Sequence, residues 1–182
     1  MNRLIFSVVV FALLATGRAP ATNLSERTHK SIQGEAGGLQ LSLMSHKGIY
    51  HRGDEFRMQV MLRNSSDKDI YVFGTLDWGY SASLIFLIRD ARGNEVVPDH
   101  VPDTPPIAPP VERSAYVKLR PDHFLGTSYF APLRLMSLTK PGKYSIVAKY
   151  RCPFARADVP VSPFWAAEDG VVESNVVYVT VR

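Results

Sequence analysis

The residue types that do chemistry in proteins are sparse in this chain, which has five histidines and a single cysteine, Cys152. No two histidines stand four residues apart, and none lies at the short spacing from a cysteine that zinc sites use. The nucleophile pattern Gly-x-Ser-x-Gly and a glycine-rich phosphate loop are also missing from the sequence. The sequence therefore predicts a protein that is not an enzyme, with no catalytic residue, cofactor or metal site.

A metal site built from loops is the alternative to that expectation. Two predicted loops carry imidazole and carboxylate groups, which would converge if both loops lay at one end of the fold. The residues concerned are Asp99, His100, Asp103, Asp122 and His123.

Aromatic side chains are the second group that could act at a surface. Exposed aromatic rings anchor protein partners, and they also stack on carbohydrate. We expect a partner, protein or glycan, to contact five aromatic residues in predicted loops or strand ends: Trp78, Tyr80, Tyr129, Phe130 and Trp165. The alternative is that these rings close the ends of the hydrophobic core.

Residues 1–21 have the three parts of a secretory signal peptide. Arg3 supplies the positive charge, residues 4–15 are apolar apart from Ser7, and two small-residue cleavage sites follow. An apolar run of this length is too short to span roughly 30 Å of hydrocarbon as a stable helix. We therefore expect an exported protein, periplasmic or secreted, without a membrane anchor after cleavage; an uncleaved anchor is the alternative.

The charge of the mature chain is nearly balanced. Removing Arg3 and Arg18 with the signal peptide leaves 19 basic against 17 acidic residues, a net charge of +2. No run of Lys and Arg exceeds two residues, so the sequence lacks the electrostatic pattern of a nucleic-acid-binding protein. Because Cys152 has no second cysteine to pair with, no intramolecular disulfide is expected. We expect a monomer that depends on its hydrophobic core.

The periodicity of apolar residues predicts β-structure throughout residues 39–182. Leu39, Leu41 and Leu43 alternate with polar residues, and the same period of two recurs over residues 56–62, 115–119, 144–150 and 175–182. Such alternation places one apolar face of each strand toward a core. We predict one antiparallel β-sandwich of roughly seven to eight strands. Residues 22–38, which show no period, are predicted to form a flexible tail.

Two long segments between these strands are predicted to be loops. Residues 98–113 contain six prolines, which cannot donate hydrogen bonds to a sheet. Residues 121–137 show no sustained alternation. Because loops carry function in many sandwiches, we expect any binding activity to lie in such segments.

The segment 138–144 resembles the tyrosine corner of immunoglobulin-like and fibronectin type III-like sandwiches. Pro141 and Gly142 form a turn, Leu138 is expected to enter the core, and Tyr144 would be the corner residue. In that family the tyrosine hydroxyl bonds back to the backbone a few residues upstream. The resemblance implies an immunoglobulin-like antiparallel sandwich with residue 144 entering a central strand.

The turns at residues 53–55 and 64–66 are similar to those of exported bacterial domains of the BsuPI proteinase-inhibitor type. The loop aromatics and this resemblance together leave two possible functions, of which the resemblance implies the second. One is an exported, non-catalytic binding module of unknown ligand. The alternative is a proteinase-inhibitor-like domain that presents an exposed loop such as residues 98–113.

Overall fold

The computed structural model describes residues 35–79, 82–99, 101 and 108–182. The predicted signal peptide (1–21) and residues 22–34 of the predicted tail lie outside the described residues. The described chain is all-β, with four short 3₁₀ turns: Arg113–Ala115, Leu133–Met136, Arg156–Asp158 and Ala167–Asp169. The strands are β1 (Glu35–Ala36), β2 (Leu39–Ser45), β3 (Ile49–Tyr50), β4 (Glu55–Asn64), β5 (Ile70–Phe73), β6 (Leu84–Asp90), β7 (Tyr116–Leu119), β8 (Phe124–Pro132), β9 (Gly142–Arg151), β10 (Val171–Glu173) and β11 (Val177–Val181).

The first sheet, sheet I, has the strand order β1-β2-β4-β8. In β4, Phe56, Met58 and Val60 are buried, whereas Arg57 and Gln59 between them are exposed. This pattern follows from the alternation of side chains along a strand. Because β4 pairs antiparallel with both β2 and β8, its buried face is the centre of one half of the core.

The second sheet, sheet II, is organised around β9. One edge of β9 pairs antiparallel with β6, and the other pairs with β10 and then with β11. Strands β10 and β11 therefore lie in one line, interrupted at residues 174–176. The two-residue strand β3 pairs with β11 in parallel. A third, two-stranded sheet is formed by β5 and β7.

The core lies between the inner faces of sheets I and II, as in a β-sandwich. Leu41 and Val60 contribute from sheet I, and Ile146 and Tyr150 contribute from sheet II. At one end of the core the ring of Phe73 meets the ring of Phe154 edge-on, with 4.9 Å between the centroids. The all-β sandwich expected from the alternation is therefore present.

Asn64 is a fully buried polar residue at the end of β4. Its Nδ2 donates to the carbonyl oxygens of Lys68 at 2.7 Å and of Leu119 at 2.9 Å. Its Oδ1 accepts from the backbone N–H of Ser66 at 2.9 Å and from the Ser66 hydroxyl at 2.7 Å. One amide group thus holds both the turn after β4 and the end of β7.

Asn175 joins the two main sheets at the interruption between β10 and β11. Its Oδ1 accepts from the backbone N–H of Leu43 at 2.9 Å, and its Nδ2 donates to the Leu43 carbonyl oxygen at 2.9 Å. The side-chain amide therefore makes the two hydrogen bonds to Leu43 that the backbone of a neighbouring strand would otherwise make at this edge of β2. Beside it, the N–H of Ser174 donates to the carbonyl oxygen of Ala148 at 2.8 Å.

The structure differs from the sequence predictions in three places. Residues 124–132 form β8, although residues 121–137 were expected to be a loop. Within the predicted tail, residues 35–38 form a hairpin in which β1 pairs with β2. The described residues contain eleven strand segments, because β1 and β3 are only two residues long and the last strand is divided into β10 and β11.

Candidate functional site

The structure places the five aromatic residues predicted to contact a partner in different environments. Trp165 is only 4% exposed, and Trp78 is half-buried with its ring 5.7 Å from that of Phe86. Tyr129 is also half-buried, and its hydroxyl donates to the carbonyl oxygen of Leu76. Tyr80 lies outside the described residues. The rings of Trp78, Tyr129 and Trp165 therefore pack in or against the core, which is the alternative that the sequence left open.

Among the four described residues of this set, Phe130 is the one that faces solvent, with 59% of its surface exposed. It shares the outer face of β8 with Phe124, which is 63% exposed. The two rings are six residues apart on one strand, so about 20 Å separates them along the sheet. Gly126 and Ser128 lie between them on the same face and are exposed.

The neighbouring strand β4 contributes arginine and methionine to this outer face. Arg57 lies opposite Phe130 in the register, and its guanidinium carbon is 5.1 Å from the centre of the Phe130 ring. Arg63 lies opposite Phe124, and Met61 lies opposite Gly126. We call the surface formed by Phe124, Gly126, Ser128, Phe130, Arg57, Met61 and Arg63 the β8 face.

The charges of the β8 face are balanced locally. Arg57 forms an ion pair with Glu55 at 2.8 Å, and Arg63 forms one with Asp122 at 2.5 Å. All four side chains are well exposed, so each pair contributes little to stability. The result is a face that offers two large apolar rings and paired charges, without a net excess of either sign.

The backbone of β8 is open along the edge away from β4. The N–H of Asn64 donates to the carbonyl oxygen of His123 at 3.0 Å, which fixes the phase of the β4–β8 ladder. In this antiparallel phase, Leu125, Thr127 and Tyr129 exchange hydrogen bonds with β4, and the intervening residues direct their N–H and C=O groups outward. No described residue outside β4 makes a backbone hydrogen bond to Phe124–Pro132.

Three other strand edges in the described part of the chain have neighbours. The edge of β6 bonds to flanking segments through Asp77 and Val96. The outer edge of β5 bonds to Pro163 and Trp165 through both backbone groups of Tyr71. The edge of β2 is met by Asn175. Nine-residue β8 is thus the longest strand edge that the described residues leave open.

Sequence reasoning missed Phe124 as a surface residue because β8 was predicted to be a loop. The run Phe-Leu-Gly-Thr-Ser-Tyr-Phe has large residues on both faces and small ones between, so apolar and polar residues do not alternate. Its aromatic and β-branched content was the available signal for a strand.

The tyrosine-corner residues form a compact structural unit at the entrance to β9. The Tyr144 hydroxyl donates to the carbonyl oxygen of Lys140 at 2.8 Å, within the segment that the sequence indicated. Leu138 is buried in the core, and Pro141 and Gly142 lead into the strand. Burial raises the pKa of Tyr144, with a smaller contribution from the negative charge of Asp90. The hydroxyl therefore stays protonated, and the group acts in structure.

We expect Tyr144→Phe to lower the free energy of unfolding by about 1–2 kcal/mol, because the Lys140 carbonyl loses its donor and the ring stays in place. Tyr178→Phe is the matched control, since the ring of Tyr178 is 69% exposed on β11. Urea unfolding of both variants measures the difference. Equal stability of the two variants would show that the hydroxyl bond contributes nothing.

A shallow groove lies beside Trp165, away from the β8 face. It has a volume of about 220 Å³ and is lined by Gly37, Ile70, Arg156, Pro163, Phe164, Trp165 and Asp169. Both carboxylate oxygens of Asp169 accept from the Arg156 guanidinium at 2.6 Å. The charged side chains of the groove are therefore paired with each other.

Cys152 is bonded to no described acid or base that could activate it for nucleophilic chemistry; the hydrogen bond that its sulfur accepts comes from the backbone N–H of Phe154. The thiol is buried, and burial raises its pKa to about 11, so it is protonated at neutral pH. Across the described residues, no three His, Cys, Asp or Glu side chains are grouped to hold a metal ion. His100 and Asp103 of the alternative metal cluster lie outside those residues. The described part of the chain also has no helix with the length and apolar character needed to cross a membrane.

Comparison with known proteins gives no functional relative. No protein-family model matches the sequence, and no curated protein matches it. One similar solved structure is the b-glucosidase EmGH1 from Erythrobacter marinus, with 13% sequence identity and a TM-score of 0.38 over 79% of this chain. This chain spans 15% of the length of that enzyme. A likeness of this size supports no conclusion about activity.

Proposed function

We propose that this protein is an exported, non-catalytic interaction module that binds a protein partner through the β8 face and the open edge of β8. The observation that carries the proposal is the presence of two exposed phenylalanines, Phe124 and Phe130, on one face of a strand whose outer edge has no backbone partner among the described residues. Aromatic residues, phenylalanine included, are enriched in protein interfaces. Export rests on the signal-peptide pattern of residues 1–21 and implies a periplasmic or secreted protein.

The strand order supports an immunoglobulin-like assignment for the module. Immunoglobulin sandwiches place strands A, B and E side by side in one sheet and strands C, F and G in the other. Here β2-β4-β8 corresponds to the first set, and β6-β9-β11 corresponds to the second. The bond from Tyr144 to Lys140 then falls near the start of strand F, where the tyrosine corner of the family lies.

A protein partner fits the β8 face better than a glycan for two reasons. The face combines phenylalanine, methionine and arginine, which are enriched in protein interfaces. The outward N–H and C=O groups of Gly126 and Ser128 match an extended peptide, which would add to sheet I as a further strand. Stacking on carbohydrate would use the rings alone and leave these backbone groups unused.

The proteinase-inhibitor alternative stays a prediction from the sequence. It required residues 98–113 to be presented as an exposed loop, and residues 100 and 102–107 of that loop lie outside the described residues. We therefore retain the interaction module as the proposed function.

The proposal is tested by selecting peptides from a random display library on the exported chain, with a glycan array screened in parallel. We expect extended, apolar peptides to be selected, and we expect Phe124→Ser and Phe130→Ser each to weaken their binding at least tenfold. Tyr178→Ser, which removes an exposed ring from sheet II, is the matched control and should bind normally. Selected peptides that bind both phenylalanine variants with unchanged affinity, or glycan binding that depends on the two rings, would overturn the proposal.

A further inference from the structure

The open strand β8 has a symmetric arrangement of residue types. Residues 124–130 read Phe-Leu-Gly-Thr-Ser-Tyr-Phe, with Thr127 at the centre. Phenylalanine stands three positions to either side of Thr127, a large apolar or aromatic residue stands two positions away, and glycine or serine stands one position away. A strand with this pattern presents the same sequence of large and small groups in both directions.

A symmetric strand is complementary to a second copy of itself in antiparallel orientation. In a twofold interface, if one residue contacts a second residue of the partner, the second contacts the first in return. With the axis at Thr127, Phe124 lies opposite Phe130 of the partner subunit, and Gly126 lies opposite Ser128 of the partner subunit. Every large outward residue thereby meets a large one, and every small residue meets a small one.

The backbone phase agrees with this register. The N–H and C=O groups of Phe124, Gly126, Ser128 and Phe130 point away from β4, as set by the bond from Asn64 to His123. In the antiparallel register about Thr127, these four residues are the ones that would exchange hydrogen bonds with the second copy. A register shifted by one residue would place outward groups against residues whose groups already bond to β4.

We infer that the partner of the β8 face is a second copy of this chain, joined through antiparallel β8 strands about a twofold axis at Thr127. The inference rests on the proposed function in placing the contact on β8, and it replaces the expectation of a monomer. The two four-stranded sheets would become one continuous sheet of eight strands. The ion pairs of Arg57 and Arg63 keep the face near neutral, so charge repulsion does not oppose the approach of an identical surface.

The edge itself lacks the features that natural proteins use to prevent such pairing. Open edges are protected by lysine, proline, bulges or short length. Residues 124–130, which would pair with the second copy, contain no lysine or proline and lie in regular register with β4; the proline of β8, Pro132, stands at the end of the strand beyond this segment. One strand edge buries less than the roughly 1,600 Å² of a standard interface, so we expect an association that depends on concentration.

Two single-cysteine variants test the register directly. Phe124→Cys and Phe130→Cys would lie opposite each other across the axis, about 5.5 Å apart between Cα atoms, which suits a disulfide. A mixture of the two variants, oxidised at high protein concentration, should form a crosslinked dimer. Each variant oxidised alone should remain uncrosslinked, and so should the unmodified chain, because its Cys152 is buried.

Sedimentation velocity gives an independent readout with the unmodified chain. The sedimentation coefficient of the unmodified chain should rise with protein concentration. Ser128→Lys should abolish this rise, because it places a charge beside the axis at Thr127. Ser128→Thr, the control, should preserve the rise. A chain that stays monomeric at every concentration, or crosslinking of each cysteine variant alone as in a parallel arrangement, would overturn the inference. If the chain is monomeric but the phenylalanine variants still lose binding to selected peptides, the proposed function stands and only the second copy is excluded. If the phenylalanine variants change neither peptide binding nor the sedimentation of the chain, the proposed function and the second-copy inference both fail.

Discussion

Replacing Asn64 with alanine is expected to lower the free energy of unfolding by about 2–4 kcal/mol, because the buried carbonyl of Leu119 loses its bond to the amide and the partly buried N–H of Ser66 loses its acceptor. The Asn64 amide donates to the carbonyl oxygens of Lys68 and Leu119 and accepts from the backbone N–H of Ser66. Alanine supplies none of these bonds. Because the side chain is fully buried, water cannot readily take the place of the lost amide.

Asn94→Ala is the matched control for this prediction. Asn94 also lies in a turn after a strand, and its Nδ2 donates to Asp90 at 3.1 Å, but the bond is exposed. We expect the control to cost less than about 1 kcal/mol, since solvent can replace the lost bond. Urea unfolding at one pH measures both variants. Equal losses at the two positions would contradict the assignment of Asn64 as a buried junction between β4 and β7.

Asn175→Ala is expected to cost about 2–3 kcal/mol by freeing both backbone groups of Leu43 at the edge of β2. The two bonds, each 2.9 Å long, join sheet I to the interruption between β10 and β11. Their loss should also raise amide exchange at residue 43 relative to other residues of β2. Thermal or urea unfolding together with exchange at this amide measures the effect.

Val176→Ala is the control, because this neighbouring side chain is 45% exposed and makes no comparable bond. A destabilisation of less than about 1 kcal/mol is expected for it. If Asn175→Ala were as mild as Val176→Ala, the two bonds of Asn175 would contribute little, and the Leu41–Ser174 bridge and side-chain packing would account for the joining of the two main sheets. Unchanged exchange at Leu43 would lead to the same conclusion.

The strands with one buried face were predictable because their alternation is a local property of the sequence. The period of two in β2 and β4 indicated which residues enter the core, and Leu41, Phe56 and Val60 do so. The turn after β4 was likewise predictable from its run of Asn, Ser and Asp. Tyr144 was identifiable because the turn before it and the residue type together resemble a known corner.

Contacts between segments far apart in the chain were not predictable in this way. The bonds from Asn175 to Leu43 join residues separated by 132 positions, and no local pattern signals such a pair. Trp165 was expected to be exposed, and its burial depends on packing beside Gly37 of the β1–β2 hairpin. Strand β8 was missed because an edge strand with large residues on both faces lacks alternation.

This difference matters for function, because the candidate site lies where local patterns failed. Strands β2 and β4 of the core follow the period of two, and the strand that presents Phe124 and Phe130 does not. If residues 124 and 130 were polar, the alternation in β8 would have been easier to recognise. The strand would then have had no apolar outer face. The departure from alternation in β8 is therefore the sequence signature of the proposed interaction surface.

Amide hydrogen exchange along β8, followed residue by residue by NMR at a concentration where the chain is monomeric, tests the central claim most directly. The account predicts alternating protection: slow exchange at Leu125, Thr127 and Tyr129, whose N–H groups bond to β4, and fast exchange at Gly126 and Ser128. Raising the protein concentration should then protect the amides of Gly126 and Ser128. Slow exchange at these two amides in the monomer would contradict the account, because another part of the same chain would already cover the edge.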